Sequence, residues 1–499
     1  MSDVRLYGNW TRPRMQGVFG LGLGICALLL VAAMALIFAV LSGGPAAAAV
    51  VVGVTGVLLA PTFRRPGTGR SLYTTMGRRV VAWWNKRTGR SVLVQGPAGM
   101  TPDGRARMPG LLAQSELISA QDVYGQPFGI IRVPATGSYS IVIETSGSGT
   151  DLTDQETVDR QVARWGAWLA SLGQNYPDVI GAQASIETAP DTGVRLRRAI
   201  DQAESPDAQP FAREVMGEIR DSYPAGQSEI GTRISVTFKS TVPGRKQRVS
   251  PEDMATRIGN VLPSILSGLL GTGASAVARP MTAQNITDYV RVAWDPLVAT
   301  LVQEARQTGE GTGMVWEDAG PTFLDDRDPK VLRHDRAFSI SWQMLEAPRS
   351  PVPSDTLKIL LAPHPEITRK RVTLLYRPLS IEQSVNAAEA EVTNAEFVVN
   401  NSKKVTSRDM NRMARARATA REEADGASLL RFGVIVTATV TSADTLPRVV
   451  ETVQNLTSGA KLKMRAADWT QASTFTAGLP LGLVLPAQVL VPPEIGEAF

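Results

Sequence analysis

Between Arg14 and Arg64 the chain carries no charged residue. Within that interval Gly17 to Leu41 is a run of 25 uncharged positions rich in Leu, Val, Ala and Phe. About 20 apolar residues cross a bilayer as a helix, so this run predicts one transmembrane span. Ser42-Gly43-Gly44-Pro45 interrupts it, and Ala46 to Phe63 resumes as a second uncharged run of about the minimum spanning length. The pattern predicts a transmembrane helical hairpin over residues 1–63.

The pattern then changes period. Residues 64–110 are basic and rich in Gly and Pro, and read as a juxtamembrane linker with one short helix near Leu72–Lys86. Beyond them, strand and helix patterns alternate. "YSIVIET" (139–145), "AQASIET", "GTRISVTF", "AFSISWQML", "RKRVTLLYRP", "FGVIVTATVT" and "KLKMRA" read as strands. Gln155–Gly173 places apolar residues at 158, 162, 165, 168, 169 and 172, one face of a helix capped by Asp151 or Thr153. Further helices are expected from Pro251, with a kink at Pro263, over "ITDYVRVAWDPLVATLVQEAR", at 354–361 and at 446–456. Residues 381–424 form a polar, Ala-rich stretch, read as a helical hairpin turning near Asn400–Asn401 or as an exposed arm. The expected fold class is α+β: a membrane anchor (1–63), a linker (64–110), and two α+β subdomains at 111–330 and 331–499, the second with the long arm.

Charge settles the expected orientation. Of the formal net charge of +5 over 499 residues, positions 1–107 contribute +11, leaving −6 for the rest. Arg5, Arg12 and Arg14 precede the first run; Arg64, Arg65, Arg70, Arg78, Arg79, Lys86, Arg87 and Arg90 follow the second. Lys/Arg-rich flanks stay cytoplasmic, so both termini are expected inside, with Trp10, Arg12, Pro13, Arg14, Arg64 and Arg65 forming the anchor collar. The same belt offers itself to an anionic lipid surface. A cleaved signal peptide ending near Pro45-Ala46-Ala47-Ala48 fits less well, because the apolar run is too long for an ordinary signal core and a second run follows.

Candidate chemistry is sparse. Cys26 is the one cysteine and lies in an apolar run; His334 and His364 are the two histidines. That excludes an intrachain disulfide and leaves little for a metal site or a His relay. "GLLGTGAS" (268–275) has P-loop glycine spacing, but Ala274 stands where the lysine belongs and the motif follows a helix pattern, so a helix-ending turn is expected. His334 and His364 read as turn residues, and the carboxylates of "ETAPDTGVRLRR" and "EDAGPTFLDDRD" lack calcium-loop spacing. Arg369–Val372 with Lys239–Arg248 would be the place to touch DNA, but solvated loop charges are the expected reading in an acidic body. No catalytic residue, cofactor or metal is expected.

Two stretches resemble known families. "TRPRMQGV" ahead of the paired apolar runs is similar to the start of the PrgI-type small inner-membrane subunit of type IV secretion systems. "REEADGASLLRFGVIVTATVTSADTLPRVVETVQNL" and "QASTFTAGLPLG" (471–482) resemble the region ahead of the motor in conjugation ATPases. "WNKRTGRSVLVQGPAG", "RPMTAQNITDYVRVAWDP", "RHDRAFSISWQM" and "LLAPHPEITRKRVTLLYRP" extend the likeness to an actinobacterial membrane protein of conjugation-type loci. No lysine-containing P-loop and no room for a motor precede Phe499. The resemblance implies a non-enzymatic inner-membrane scaffold for DNA transfer, homo-oligomeric within its complex. It would dock a separate secretion ATPase and other channel subunits, through Phe475, Leu479, Pro480, Leu481 and Gly482. The apolar tail after them is a partner surface or packs on its own body. The chain also resembles EccE-like components of type VII protein secretion, the alternative reading.

Overall fold

The computed structural model describes residues 5–8, 23–59, 72–97, 99, 101, 103–147, 153–203, 205, 207–222, 227–241, 249–274, 277–308, 311–348, 350–401 and 405–485. The chain divides into two compact units. One is Met1–Asn9 with Val92–Val484; the other is Trp10–Ser91 with Leu485–Phe499.

In the second unit, α1 runs Leu23–Leu59 and α2 runs Leu72–Arg87. The interruption read at 42–45 is present as a break inside α1: Gly44 sits at φ 69° and ψ −167°, with Pro45 after it. Glycine adopts that left-handed φ without steric cost, and Pro45 lacks the N–H that would continue the ladder. Length and composition mark one candidate membrane span among the described residues, Leu28–Val57, where the sequence reading expected two.

The larger unit mixes helix and sheet, and among the described residues its strands join in one 13-stranded sheet. β1 (Val92–Val94) and β2 (Glu116–Gln121) lie at its two ends. Two repeats of one topology fill the middle. The first is β3 (Pro127–Val133), β4 (Ser138–Ser146), α3 (Gln155–Asn175) and β5 (Val179–Pro190). A helix pair follows, α4 (Val194–Ala203) and α5 (Pro210–Ser222), then β6 (Ser228–Lys239), α6 (Pro251–Gly268), β7 (Val277–Pro280) and α7 (Ala283–Trp294). After α8 (Ala299–Thr308) and β8 (Phe323–Asp325), the second runs β9 (Leu332–His334), β10 (Ala337–Glu346), α9 (Lys358–Leu361) and β11 (Arg369–Pro378). Its helix pair is α10 (Ile381–Asn401) and α11 (Ser407–Ala424), followed by β12 (Leu430–Val440), α12 (Leu446–Gly459), β13 (Lys463–Ala466) and α13 (Gln471–Gly478).

Strand pairing repeats with the order. β4 pairs β3, β6 and β7; β10 pairs β9, β12 and β13. β6 pairs β5, and β12 pairs β11. Each repeat is thus a split β-α-β unit of ferredoxin-like connectivity with a helix pair inserted between its second and third strands. The repeats meet where β5 and β11 pair antiparallel from Ala182↔Tyr376 to Thr188↔Lys370. The two blocks read as subdomains are therefore not separate bodies; one continuous sheet crosses the boundary placed at 330.

Among the described residues, three apolar clusters hold the layers. On one face, α3 (Trp168, Leu169, Leu172) and α6 (Met254, Ile258, Leu262) cover the first repeat, and α12 (Val449, Val453, Leu456) covers the second. On the other face, α7 and α13 share one cluster, in which the Trp294 and Phe475 rings meet tilted, with centroids 4.6 Å apart. Several boundaries moved for local reasons. α3 is entered at Asp154, without a side-chain cap. The predicted helix across "AWDPL" splits into α7 and α8, because Pro296 lacks an N–H and Asp295 caps the turn that follows through Leu297 N. α6 begins at Pro251 behind a Ser250 cap and continues through Pro263.

The helix α3 touches the second repeat through a glycine. A Cβ at Gly173 would lie 2.7 Å from the Leu379 carbonyl oxygen, whereas one at Gly166 meets nothing within 4 Å. Alanine in a helix gains roughly 0.5–1 kcal/mol over glycine, but a backbone oxygen cannot swing aside, and overpacking costs about 1–3 kcal/mol. Gly173→Ala is therefore expected to lower the denaturant midpoint of the purified protein and Gly166→Ala to raise it slightly. The same sign at both positions would refute this packing.

Candidate functional site

The collar residues Trp10, Arg12, Pro13, Arg14, Arg64 and Arg65 lie outside the described residues. Beside them in sequence, Arg5–Gly8 is described, and it is tied to the large unit. Tyr7 exchanges both backbone hydrogen bonds with Val352, each at 2.8 Å. The Tyr7 hydroxyl donates to Asp159 Oδ1 on α3 at 2.8 Å, and Gly8 lies against Pro351. No pattern in "RLYG" announced this, since a one-residue bridge needs its partner strand to be seen.

The proposed docking residues are interior. Phe475, Leu479 and Leu481 are at most 1% exposed, and Pro480 and Gly482 are buried with them. This corrects their assignment as a docking surface: the segment packs on its own body. After α13 it runs as irregular chain across the sheet, and buried irregular chain needs partners for its peptide groups. The strands supply them. Thr373 Oγ1 donates to the Gly478 carbonyl at 2.7 Å, Gln183 Nε2 to that of Leu479 at 2.7 Å, and Thr237 Oγ1 to that of Gly482 at 2.7 Å. Gly482 N donates back to Gln183 Oε1 at 3.3 Å. Gly482 holds φ 70°, and a Cβ there would sit 2.3 Å from both Ser140 Oγ and Thr237 Oγ1. Its glycine is thus a packing requirement of the sheet face.

On that same face lies a buried ionic cluster. Glu187 on β5, 4% exposed, receives Arg371 at 3.0 Å and Arg369 at 3.2 Å from the paired strand β11. Arg233 on β6 approaches it at 3.9 Å and also pairs with Glu144 at 3.0 Å. The Tyr289 hydroxyl of α7 donates to Glu187 Oε2 at 2.8 Å, with the Arg233 guanidinium 4.1 Å above its ring. Burial alone would raise the Glu187 pKa; Arg371, Arg369, Arg233 and Tyr289 together outweigh it and bring it down to about 2. Burial raises Tyr289 to about 12, with Arg371 opposing. Arg369, Lys370 and Arg371, expected as solvated loop charges or DNA contacts, are all buried on a central strand. Lys370 faces the other side of the sheet, where its Nζ donates to the Ala362 carbonyl and burial lowers its pKa to about 8. Of the other DNA candidate, residues 242–248 fall outside the described residues.

His334 is also enclosed, with no exposed surface. Its Nδ1–H donates to the Trp294 carbonyl at 2.5 Å, so Nε2 accepts from Ser339 Oγ at 2.7 Å. Burial lowers its pKa to about 4. A serine–histidine pair at this distance has the contact of a nucleophile and base, but neither side chain is open to a substrate. His364 forms a turn with Glu366 and Ile367. The "GLLGTGAS" stretch is the turn after α6, with Gly271 and Gly273 at positive φ and Ser275 outside the described residues. The loop acids pair with arginines: Asp318 with Arg105 and Asp325 with Arg327. Among the described residues, no three His, Cys, Asp or Glu side chains gather as a metal ion requires.

Several large apolar side chains are exposed among the described residues. Phe38, Leu41 and Val57 on α1 are more than 70% exposed, and Trp83 and Trp84 on α2 are more than half exposed. On the inserted helix pairs, Phe211 (α5), Phe397 (α10) and Met410 (α11) stand outward, while Arg412–Glu391 and Arg417–Glu396 pairs hold α10 to α11. The α4–α5 pair was missing from the sequence reading. Phe211, Val215 and Ile219 recur every fourth residue, and that spacing was the signal that could have found α5. No protein-family model matches the chain. No curated protein matches it either.

The cluster and His334 give a pH signature. Glu187 ordinarily titrates near 4.5 and here near 2, so its stabilisation is complete above 4.5 and fades as pH falls towards 2. His334 drops from 6.5 to about 4, so the unfolded chain takes up its proton first and stability declines as pH falls through that window. Glu187→Gln is expected to cost about 3–5 kcal/mol at pH 7, by leaving buried arginines unpaired, and to flatten the limb below pH 4.5. His334→Asn should flatten the limb between 6.5 and 4. Denaturation midpoints across pH 3–8 test both, and unchanged slopes in both variants would contradict the assigned partners.

Proposed function

We propose that this protein is a membrane-anchored, cytoplasm-facing scaffold subunit of a type IV-like DNA-transfer machine. In this reading it has no chemistry of its own, sits in the inner membrane with its channel partners, and docks a separate secretion ATPase. The placing of both outer ends of the apolar segment on one side is supported by one observation: the Tyr7–Val352 bridge. Residues 5–8 and residues 92–484 belong to the same compact unit, and the apolar helix α1 lies between them in the chain. A segment that leaves and returns to one body crosses a bilayer an even number of times. The break at Gly44–Pro45 divides α1 into limbs of 21 and 15 residues, Leu23–Gly43 and Pro45–Leu59. At 1.5 Å per residue the first is about 30 Å long, the thickness of the hydrocarbon core, and the second is about 22 Å long. We therefore read α1 as a re-entering pair of limbs, with arginines at both outer ends on the cytoplasmic side.

The transfer-machine reading rests on the likeness of "TRPRMQGV" and of residues 471–482 to conjugation components. Ion pairs within the fold support a structural rather than catalytic body: Glu187 is held by Arg369 and Arg371, Asp335 by Arg291, and His334 is enclosed. Since residues 475–482 are interior, docking falls to the two inserted helix pairs, whose Phe211, Phe397 and Met410 are exposed.

Affinity purification of the tagged full chain from membranes, with mass spectrometry, is the test. Co-purification of a conjugation-type ATPase is expected, and Phe397→Asp with Met410→Asp should reduce its yield at least tenfold without loss of the scaffold itself. Recovery of a type VII secretion ATPase instead, or of no ATPase in mild detergent, would refute the proposal. For topology, alkaline phosphatase fused after Phe499 should be inactive; an active fusion would reverse the orientation.

A further inference from the structure

The helix α2 presents its apolar residues the wrong way round for a helix packed on a protein. Thr75, Arg78, Ala82 and Asn85, spaced three or four apart, form the half-buried stripe. Met76, Val80 and Trp83, also one stripe at helical spacing, are each more than half exposed, as are Val81 and Trp84. A water-facing stripe of this kind is disfavoured unless something apolar covers it. Its charges say what covers it. α2 carries Arg78, Arg79, Lys86 and Arg87 and no acidic residue. Arg79, Lys86 and Arg87 are exposed, and the Arg87 guanidinium lies 5.4 Å over the Trp83 ring. Exposed tryptophans among cations, beside an apolar stripe, match the headgroup layer of a membrane: indole rings at the boundary, basic groups on lipid phosphates, aliphatic groups below.

We propose that α2 lies flat in an anionic leaflet, with Met76, Val80, Trp83 and Trp84 at the acyl boundary and Arg79, Lys86 and Arg87 on lipid phosphates. The inference rests on the reading of α1 as a membrane anchor. The partner is the lipid surface itself, because a protein groove for this stripe would have to be both apolar and rimmed with carboxylates, whereas an anionic leaflet supplies both at once. α2 then acts as a second, charge-selective contact that ties the chain's emergence from the membrane to lipid composition.

The test uses the full chain in lipid nanodiscs. With Cys26→Ser as background, single cysteines at Val80→Cys and Asn85→Cys carry an environment-sensitive fluorophore. Discs contain either neutral phosphatidylcholine alone or a mixture with phosphatidylglycerol, each with nitroxide-labelled lipid as quencher. The label at 80 should be blue-shifted and quenched in anionic discs, several-fold more than the label at 85. Replacing Arg79, Lys86 and Arg87 by Gln should bring the anionic-to-neutral quenching ratio at 80 close to one. Equal quenching at 80 and 85, or equal quenching in neutral and anionic discs, overturns the proposal. So does a blue shift at 80 without nitroxide quenching, which would mean a protein contact. Retention of all variants in the disc fraction reports the α1 anchor separately, so failure of the α2 contact and failure of the anchor are told apart.

Discussion

The pairing of β5 with β11 is the constraint on which the larger unit depends. Each repeat ends at that strand, and without the pairing each would present a long open edge of unpaired peptide groups. The pairing is antiparallel and in register over seven residue pairs. It also fixes the electrostatics, because Glu187 and Arg371 are a directly paired couple across it. A shift of one residue would turn Glu187 towards the apolar face and away from its arginines. Buried charge is poor value as net stability, yet costly to mispair. The cluster therefore specifies register more than it adds strength.

The second face of the sheet shows how an interior can be both buried and polar. Ser140, Thr237, Gln183, Ser185, Thr373, Thr437 and Ser341 line it in place of aliphatic side chains. Their hydroxyls bond one another across strands, as Ser185 with Thr373 and Ser341 with Thr437 do, or cap the carbonyls of the C-terminal segment. A helix placed there would have satisfied its own backbone and asked for an apolar floor. An irregular strap does not, so the floor is made of donors and acceptors.

The repeat also explains the two helix pairs. Both are inserted at the same topological point, after the strand at the seam, and neither is needed to close the sheet. In the reading proposed above, their exposed apolar positions are where this protein would engage a partner.

The α+β class, the uncharged interval with its break at Gly44–Pro45, the seven named strands and the α10–α11 turn were legible in the sequence, because each rests on local period, on glycine and proline stereochemistry, or on local charge. Short strands such as β1, β8 and β9 were not, since three residues carry no period. The fate of individual polar residues was not legible either. Arg369-Lys370-Arg371 has the composition of a solvated patch, and only the neighbouring strand that brings Glu187 against it makes burial tolerable. The family resemblance marks "TAGLPLG" as a docking segment, and only the Ser/Thr/Gln face beneath it makes it interior. Local chemistry is written along the chain; whether a charge or an apolar run faces water is decided by what the fold sets opposite it, and that partner lies hundreds of residues away.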